Sequence, residues 1–171
     1  MHLNLRQPCL EDCEEFLRQV HQSQTLHYPW VSPPNNPEEY QDYLTKTQQE
    51  NQKSYFLCQE EQLVGVFNLS ELVRGCFQCA YLGFYAFATF SGKGYMSLGL
   101  NALLEKAFNE HGLHRIEANI QPQNRPSINL VTANHFKKEG FSPRYLKING
   151  VWCDHERWAL TYEDWVHNEK N

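Results

Sequence analysis

The sequence lacks a long hydrophobic run and an excess of basic residues. Its longest apolar stretch, residues 79–90, is interrupted by Gly83 and is far shorter than the roughly 20 apolar residues that a membrane-spanning helix needs. Lys and Arg number 15 against 20 Asp and Glu, so a net charge of −5 provides no basic face for phosphate contacts. We therefore expect no membrane span and no nucleic-acid partner.

The chain also lacks a dense set of cysteines, with six in 171 residues. Its first residues show no charged-then-apolar export signal, so we expect a cytoplasmic protein with free thiols. The spacing Cys76-x-x-Cys79 suggests zinc, but a structural zinc site needs four ligands. Cys9 and Cys13 are the candidate second pair, and Cys13 falls on the buried face of a predicted helix. We therefore predict no metal.

What the chain has is an ordinary globular composition, with 41% hydrophobic and 13% aromatic residues. Its length predicts one domain over residues 1–171. Apolar periodicity predicts the order β-α-α-β-β-β-α-β-α-β-β, beginning with a strand over residues 2–7. The first helix should bury Leu10, and the long helix over residues 94–111 should turn Leu98, Ala102, Leu103 and Ala107 inward. Asn149-Gly150 predicts a tight hairpin turn between the last two strands. We expect an α/β (α+β) fold with a mixed sheet of about seven strands.

Residues 90–97 carry the clearest chemical signal, because two glycines follow a strand and open a helix. Gly92 and Gly94 allow a ligand to approach the backbone, and the free N–H groups of the next turn form an anion site that suits a pyrophosphate. A Walker loop does not fit, since Gly94 follows Lys93, and a dinucleotide fingerprint would need glycine where Ser97 stands. The alternative is a tight turn with no ligand.

The segment 91–96 resembles the acetyl-coenzyme A loop of the GCN5-related N-acetyltransferases (GNAT), whose pattern is Gln/Arg-x-x-Gly-x-Gly/Ala. Ser91 and Met96 depart from that pattern. Further segments resemble the ribosomal-protein-alanine N-acetyltransferases of the RimJ type, namely residues 73–83, 114–119, 124–127, 138–140 and 145–155. The resemblance implies the GNAT fold, in which the strands before and after the long helix splay apart and hold the pantetheine arm.

The same resemblance implies a set of residues that bind acetyl-CoA. The pyrophosphate is expected on the loop and helix start, and the acyl arm on the end of the preceding strand and beside Asn124, which is alternatively a helix cap. The expected cofactor-binding residues are Tyr85, Ala86, Phe87, Gly92, Lys93, Gly94, Tyr95, Met96, Ser97 and Asn124.

An α-amine is the acceptor that the chemistry favours, because an amine must be neutral to attack a thioester. An α-amine with a pKa of about 7.7–8.0 is roughly one-fifth neutral near pH 7.2, whereas lysine, at about 10.4, is under one in a thousand. Glu117 is the candidate base; the alternatives are a solvated strand glutamate or one paired to Arg115 or a lysine, with bound water then taking the proton. Ser127 resembles the serine proposed in this family to protonate the departing thiolate; its alternative is a backbone-bonded hydroxyl.

The acceptor groove should be built by the proline-rich loop 25–37 and the last hairpin. Tyr28 and Trp30 in that loop, and Tyr81 on the aromatic strand, are candidate substrate-binding residues. Loop anchoring and core packing are the alternatives. Asp154 and His155 resemble the family's terminal hairpin and are interpreted as structural.

The resemblance implies acetyl transfer from acetyl-CoA to a protein N-terminus, with the alanine end of a ribosomal protein as the expected acceptor. One alternative is acetylation of a small amine or antibiotic on the same fold. The other is a weakly active acyl-CoA-binding regulatory protein, which the departures at Ser91 and Met96 favour.

Overall fold

The computed structural model describes residues 3–169, in which helices flank one sheet. The strands are Leu3–Arg6 (β1), Lys53–Gln59 (β2), Gln62–Val73 (β3), Cys79–Ala86 (β4), Arg115–Ile120 (β5), Lys137–Ile148 (β6) and Val151–Thr161 (β7). The helices are Cys13–Gln22 (α1), Gln24–His27 (α2), Pro37–Thr47 (α3), Tyr95–Glu105 (α4), Arg125–Ala133 (α5) and Tyr162–Glu169 (α6). Within this range, no helix is both long and apolar enough to cross a bilayer.

The sheet is mixed and has seven strands in the order β1-β2-β3-β4-β5-β7-β6, which confirms the predicted fold class. Neighbouring strands are antiparallel except β4 and β5, which are parallel. A parallel pair needs a crossover connection, and α4 supplies it. The predicted hairpin turn is confirmed, because Asn149 and Gly150 both have positive φ (50° and 81°) between β6 and β7.

Each face of the sheet buries its own hydrophobic cluster. Alternating residues of β5, including Ile116 and Ala118, pack in one cluster with α4 and α5. The opposite face of β2, β3 and the end of β4 packs under α1 and α3, where Phe16 and Tyr40 are fully buried. Glu117, on this opposite face of β5, belongs to neither cluster and is partly exposed. The opposite face is therefore open to solvent at β5.

Several sequence predictions need correction. Leu98 is half exposed and Ala102 is exposed, whereas α4 buries Gly99, Leu100, Leu103 and Leu104. The helix packs tightly on the sheet at Gly99, where an added Cβ would come within 2.6 Å of Leu57, and this packing turns Gly99 rather than Leu98 inward.

The structure also differs from the sequence predictions towards the two ends of the chain. Leu10 is exposed because it lies in a 3-10 turn, Leu10–Asp12, that turns Asp12 inward towards Arg6. Helices α2 and α6 were not predicted. The predicted start of the first strand at His2 lies outside the described residues.

Candidate active site

A cavity of about 530 Å³ lies where β4 and β5 separate. The two strands pair only over residues 79–81 and 115–117, and the remainder of each strand diverges. The ends of both strands line the cavity together with the first turns of α4 and α5. The separation that the resemblance implied is therefore present, and it opens a space of the size that proteins use for small ligands.

The edge of β4 presents free backbone groups to this cavity. Phe87 N–H donates to Val64 O on the β3 side at 2.9 Å, and Ala86 O points the other way and accepts from His27 Nε2 at 2.8 Å. Because backbone groups alternate along a strand, those of Leu82 and Phe84 also point away from β3. They are placed to hydrogen-bond an extended amide-containing arm.

The glycine-rich loop forms an open anion site at the start of α4. Gly92 and Gly94 have φ of 74° and 79°, and a Cβ added to either would meet nothing within 4 Å. The N–H groups of Tyr95 and Met96 make no hydrogen bond within the described part of the chain. Ser97 N–H already donates to Gly94 O at 3.2 Å, so the free donors precede it. Free N–H groups at the positive end of a helix bind anions such as phosphate.

The packing of Met96 explains how the structure accommodates its departure from the family pattern. Its thioether packs against Gly65 on β3, in the space that a Cβ at position 65 would occupy. The larger side chain is thus accommodated by the sheet and leaves its backbone N–H free. Ser91 lines the cavity, whereas Lys93 does not; its amino group lies 5.3 Å from the ring centroid of Phe90.

Asn124 and Ser127 lie together on the cavity wall at the start of α5. Asn124 Oδ1 accepts from Ser127 N–H at 3.3 Å, so Asn124 caps the helix as its alternative interpretation predicted. Both residues also line the cavity, and the cap therefore holds the start of α5 at the wall. At the other end of α5, Asn134 Nδ2 donates to Ser97 Oγ at 3.0 Å and ties the helix to the anion site.

Other predicted site residues lie outside the cavity lining. Glu117 forms an ion pair with Arg115 at 2.7 Å, and Arg115 also pairs with Glu139. Tyr81 is 38% exposed on the same face, and Tyr28 is 72% exposed. Phe87 is fully buried under α1, whereas Tyr85, Ala86 and Trp30 do line the cavity.

Two histidines on the cavity wall were not predicted as site residues. His27 is buried and donates through Nε2 to Ala86 O, its ring lies edge-on to Tyr85, and burial lowers its pKa. His155 is also buried and donates through Nδ1 to Cys153 O at 2.9 Å. Neither position has a local sequence signal, because the cavity brings together α2 and β7, which are distant in the chain.

The tip of the last hairpin is fastened to the proline-rich loop. Asn149 Nδ2 donates to Pro29 O at 3.2 Å, and Ser32 Oγ donates to Asn149 Oδ1. Trp30, which lies between these two anchor points, lines the cavity. These contacts join loop 25–37 to the hairpin tip, and the acceptor groove between them stays a prediction.

The cavity lining is uncharged over the part of the chain that the structure describes. It contains no Asp, Glu, Lys or Arg, and its ionisable side chains are two histidines and two tyrosines, His27, His155, Tyr85 and Tyr95. Burial raises the pKa of Tyr85 well above its usual value. The cavity is therefore suited to neutral reactants beside an anion site.

A mixed sheet that opens at its parallel strand pair, with a glycine-rich anion site on the following helix, defines the fold of acyl-coenzyme A-dependent N-acetyltransferases. A family profile described as "Acetyltransferase (GNAT) domain" matches residues 2–137, and the chain belongs to this family. It is an acetyltransferase of the GNAT type.

Similar proteins include several with ribosomal-protein specificity. The chain is 36% identical over 126 residues to the probable N-acetyltransferase YjcK of Bacillus subtilis, a match that covers 74% of this chain and 69% of that one. It is 41% identical over 107 residues to the [ribosomal protein uS5]-alanine N-acetyltransferase of Escherichia coli, covering 63% and 55% respectively. Among solved structures, Mycobacterium smegmatis RimJ in complex with CoA-disulfide superposes with a TM-score of 0.88 at 24% identity, covering 95% of this chain and 83% of that one. This last likeness shows a shared fold.

Proposed function

We propose that the protein transfers an acetyl group from acetyl-CoA to the α-amine of a protein N-terminus, with the N-terminal alanine of a cytoplasmic ribosomal protein as acceptor. The likeness to the E. coli uS5-alanine enzyme supports this acceptor. The negative net charge of −5 suits a basic ribosomal protein.

The residues of the cavity fit acetyl-CoA, which supplies an activated acetyl thioester when bound. The free N–H groups of Tyr95 and Met96, with the open space beside Gly92 and Gly94, would hold the pyrophosphate. The outward-facing backbone of β4 at Leu82 and Phe84 would hold the pantetheine amides. Lys93 belongs to this loop, and its side chain would turn from Phe90 towards a bound phosphate.

The uncharged cavity is the observation that carries the choice of acceptor. An α-amine is neutral in an appreciable fraction near pH 7, so it needs no carboxylate to enter. A polyamine is a multiple cation, and burying its charges without paired carboxylates would be strongly unfavourable. The lining of the described cavity offers no such carboxylate. The structure thus supports the α-amine over a polycationic small amine.

One residue, Ser127, is proposed for the chemistry on the basis of the sequence. Ser127 is held at the cavity wall by the Asn124 cap, and its hydroxyl would supply a proton to the leaving thiolate. Glu117 as the base stays a prediction. Its ion pair with Arg115 is the arrangement that the structural alternative anticipated, and its place outside the cavity lining favours that alternative.

A panel of acceptors tests the proposal. The full chain is incubated with acetyl-CoA and, separately, with peptides that begin with alanine, N-terminally blocked lysine peptides, polyamines and aminoglycosides, and free CoA thiol is followed. We expect release with the alanine peptides. Release with polyamines or aminoglycosides alone would replace the proposed acceptor with a small amine. CoA binding without release for any amine would instead favour the regulatory alternative.

A further inference from the structure

We infer that His155, through its Nε2 atom, is the base that takes the proton from the acceptor amine. The inference rests on the proposed function and deepens it. His155 is buried on β7, with an exposed fraction of only 3%, and it lines the cavity. The Cys153 carbonyl can only accept a hydrogen bond, so the 2.9 Å contact fixes the proton of the neutral ring on Nδ1. The lone pair is therefore on Nε2.

Nε2 is the ring nitrogen of His155 that stays open, on a residue that lines the cavity. It has no hydrogen-bond partner in the described part of the chain. Nδ1 of His27 is fully enclosed by protein atoms and has no partner, whereas Nε2 of His155 is not enclosed in this way. An imidazole whose tautomer is set by a backbone carbonyl, and whose other nitrogen faces a reaction cavity, has the geometry of a general base.

His27 and Tyr85, two other ionisable groups of the cavity, do not offer a usable lone pair. His27 uses Nε2 as a donor to Ala86 O, and its Nδ1 is enclosed. Tyr85 has its pKa raised by burial, so its hydroxyl stays protonated. Glu117 is paired with Arg115 outside the cavity lining. With no carboxylate in the lining, His155 is the group that the cavity offers for proton removal.

The proposed step balances with the residues already named. The acceptor nitrogen forms a bond to the acetyl carbonyl carbon, and the thioester C–S bond breaks, with its electron pair leaving on sulfur. The proton lost by nitrogen goes to His155 Nε2 and from there to solvent. The sulfur receives a proton from the Ser127 hydroxyl, which regains one from solvent. The products are the acetylated amine and the free thiol of CoA.

Few ionisable groups face His155 from the elements packed against it. From β6, the Tyr145 ring centroid lies 6.3 Å from that of His155. Across the cavity are His27 of α2, Tyr85 of β4 and Tyr95 of α4. On β7 itself, Asp154 accepts from the Arg144 N–H, and Arg157 is two residues away. The cavity lining adds no fixed charge.

The test compares pH profiles of kcat/KM for the parent, His155→Asn and two controls. The asparagine amide nitrogen overlays imidazole Nδ1, so this variant keeps the donor to Cys153 O and loses only the base. We expect a loss of about 10²–10⁴ in kcat/KM at neutral pH. On the acid side, log kcat/KM of the parent should rise with a slope of about two, since amine and base must both be neutral, and that of His155→Asn with a slope of about one.

The controls are His27→Gln, whose amide nitrogen keeps the donor to Ala86 O, and Glu117→Gln. In both controls, log kcat/KM should still rise with a slope of about two on the acid side. If Glu117→Gln shows the large loss and His155→Asn keeps the parent slope, the inference is wrong. A variant is compared only if CoA raises its melting temperature as it does for the parent. His155→Gln stands in if the asparagine variant does not fold.

A spectroscopic measurement tests the same inference without turnover. Nitrogen-15 spectra of the full chain should show His155 as the Nδ1–H tautomer, and its Nε2 resonance should shift when an alanine peptide is added to the CoA-bound protein. An Nε2–H tautomer would overturn the inference. If the parent acetylates another amine of the panel, the proposed acceptor fails while the pH profiles with that amine still decide the role of His155. A parent that acetylates none overturns both.

Discussion

One half of the cavity is built from backbone groups and the other half from side chains. The half proposed to bind the cofactor (the cofactor half) consists of backbone: the glycine-rich loop, the first N–H groups of α4 and the outward edge of β4. The half proposed to bind the acceptor (the acceptor half) consists of side chains, with Trp30, His27 and His155 brought together from α2, its following loop and β7. The first half is contiguous in sequence, whereas the contact of Asn149 with Pro29 joins residues 120 positions apart.

Because of this difference, the two halves should tolerate different kinds of substitution. A backbone site is damaged by adding atoms, because its donors remain whatever the side chains are. A side-chain site is damaged by removing atoms, and its specificity changes with single substitutions. Variants that act on one half should therefore leave the other half intact, and the predictions below are ordered by the size of the expected effect.

The largest effect should come from Gly94→Val, which adds a β-branched side chain where φ is 79° and the space is open for a ligand. The strained backbone and the new methyl groups would both close the anion site. We expect CoA to give no thermal stabilisation of this variant and acetyl transfer to be lost. Gly150→Val, at a similar positive φ in the hairpin turn, is the control for strain alone. A CoA-induced shift equal to that of the parent would refute the assignment.

An intermediate effect should follow from Asn149→Gly, which keeps the positive-φ turn but removes both hydrogen bonds to the proline-rich loop. Each bond contributes about 0.5–1.5 kcal/mol, so losing both should raise KM for the acceptor peptide about 5- to 150-fold. Stabilisation by CoA should not change, because the contact lies on the acceptor half. Ser32→Ala removes one bond and should give a smaller rise. An equal loss of CoA affinity would show that the halves are not separable.

The smallest effect should come from Asp12→Asn, which touches neither half. Asp12 accepts from Arg6 at 2.7 Å and from Cys9 N–H at 2.9 Å, and although burial opposes ionisation, these bonds lower the pKa of Asp12. A lowered folded pKa stabilises the fold above the unfolded value near 3.9, and the benefit disappears as pH falls through the folded pKa.

Urea unfolding should therefore show the variant less stable by about 1–2 kcal/mol at pH 7, with Arg6 partly exposed to solvent. The gap should close below about pH 4. Asp42→Asn, at an exposed position of α3, provides the control. A gap that persists unchanged in acid would assign the loss to packing.

The contrast between the halves also explains what the sequence could predict. Seven strands, their mixed arrangement and the anion loop follow from periodicity, turn residues and the Gly92–Gly94 spacing, all of which are local. The buried stripe of α4 was misplaced by one position because the contact of Gly99 with Leu57 is a tertiary feature.

The acceptor half could not be predicted in the same way. His155 stands beside Asp154 in a hairpin segment whose family resemblance indicated a structural role, and only the divergence of β4 from β5 exposes it to a cavity. Glu117 alternates correctly on β5, yet its partner Arg115, two residues away on the same face, decides its contacts. Side-chain pairing of this kind depends on geometry rather than on spacing.

The central claim is that the acceptor is a neutral α-amine, and one peptide tests it most directly. The peptide begins with alanine, carries an internal lysine and is incubated with the full chain and acetyl-CoA at neutral pH. Tandem mass spectrometry then locates the acetyl group. The proposed function predicts acetylation of the alanine α-amine with the lysine unmodified. Acetyl on the lysine side chain with a free N-terminus would contradict it.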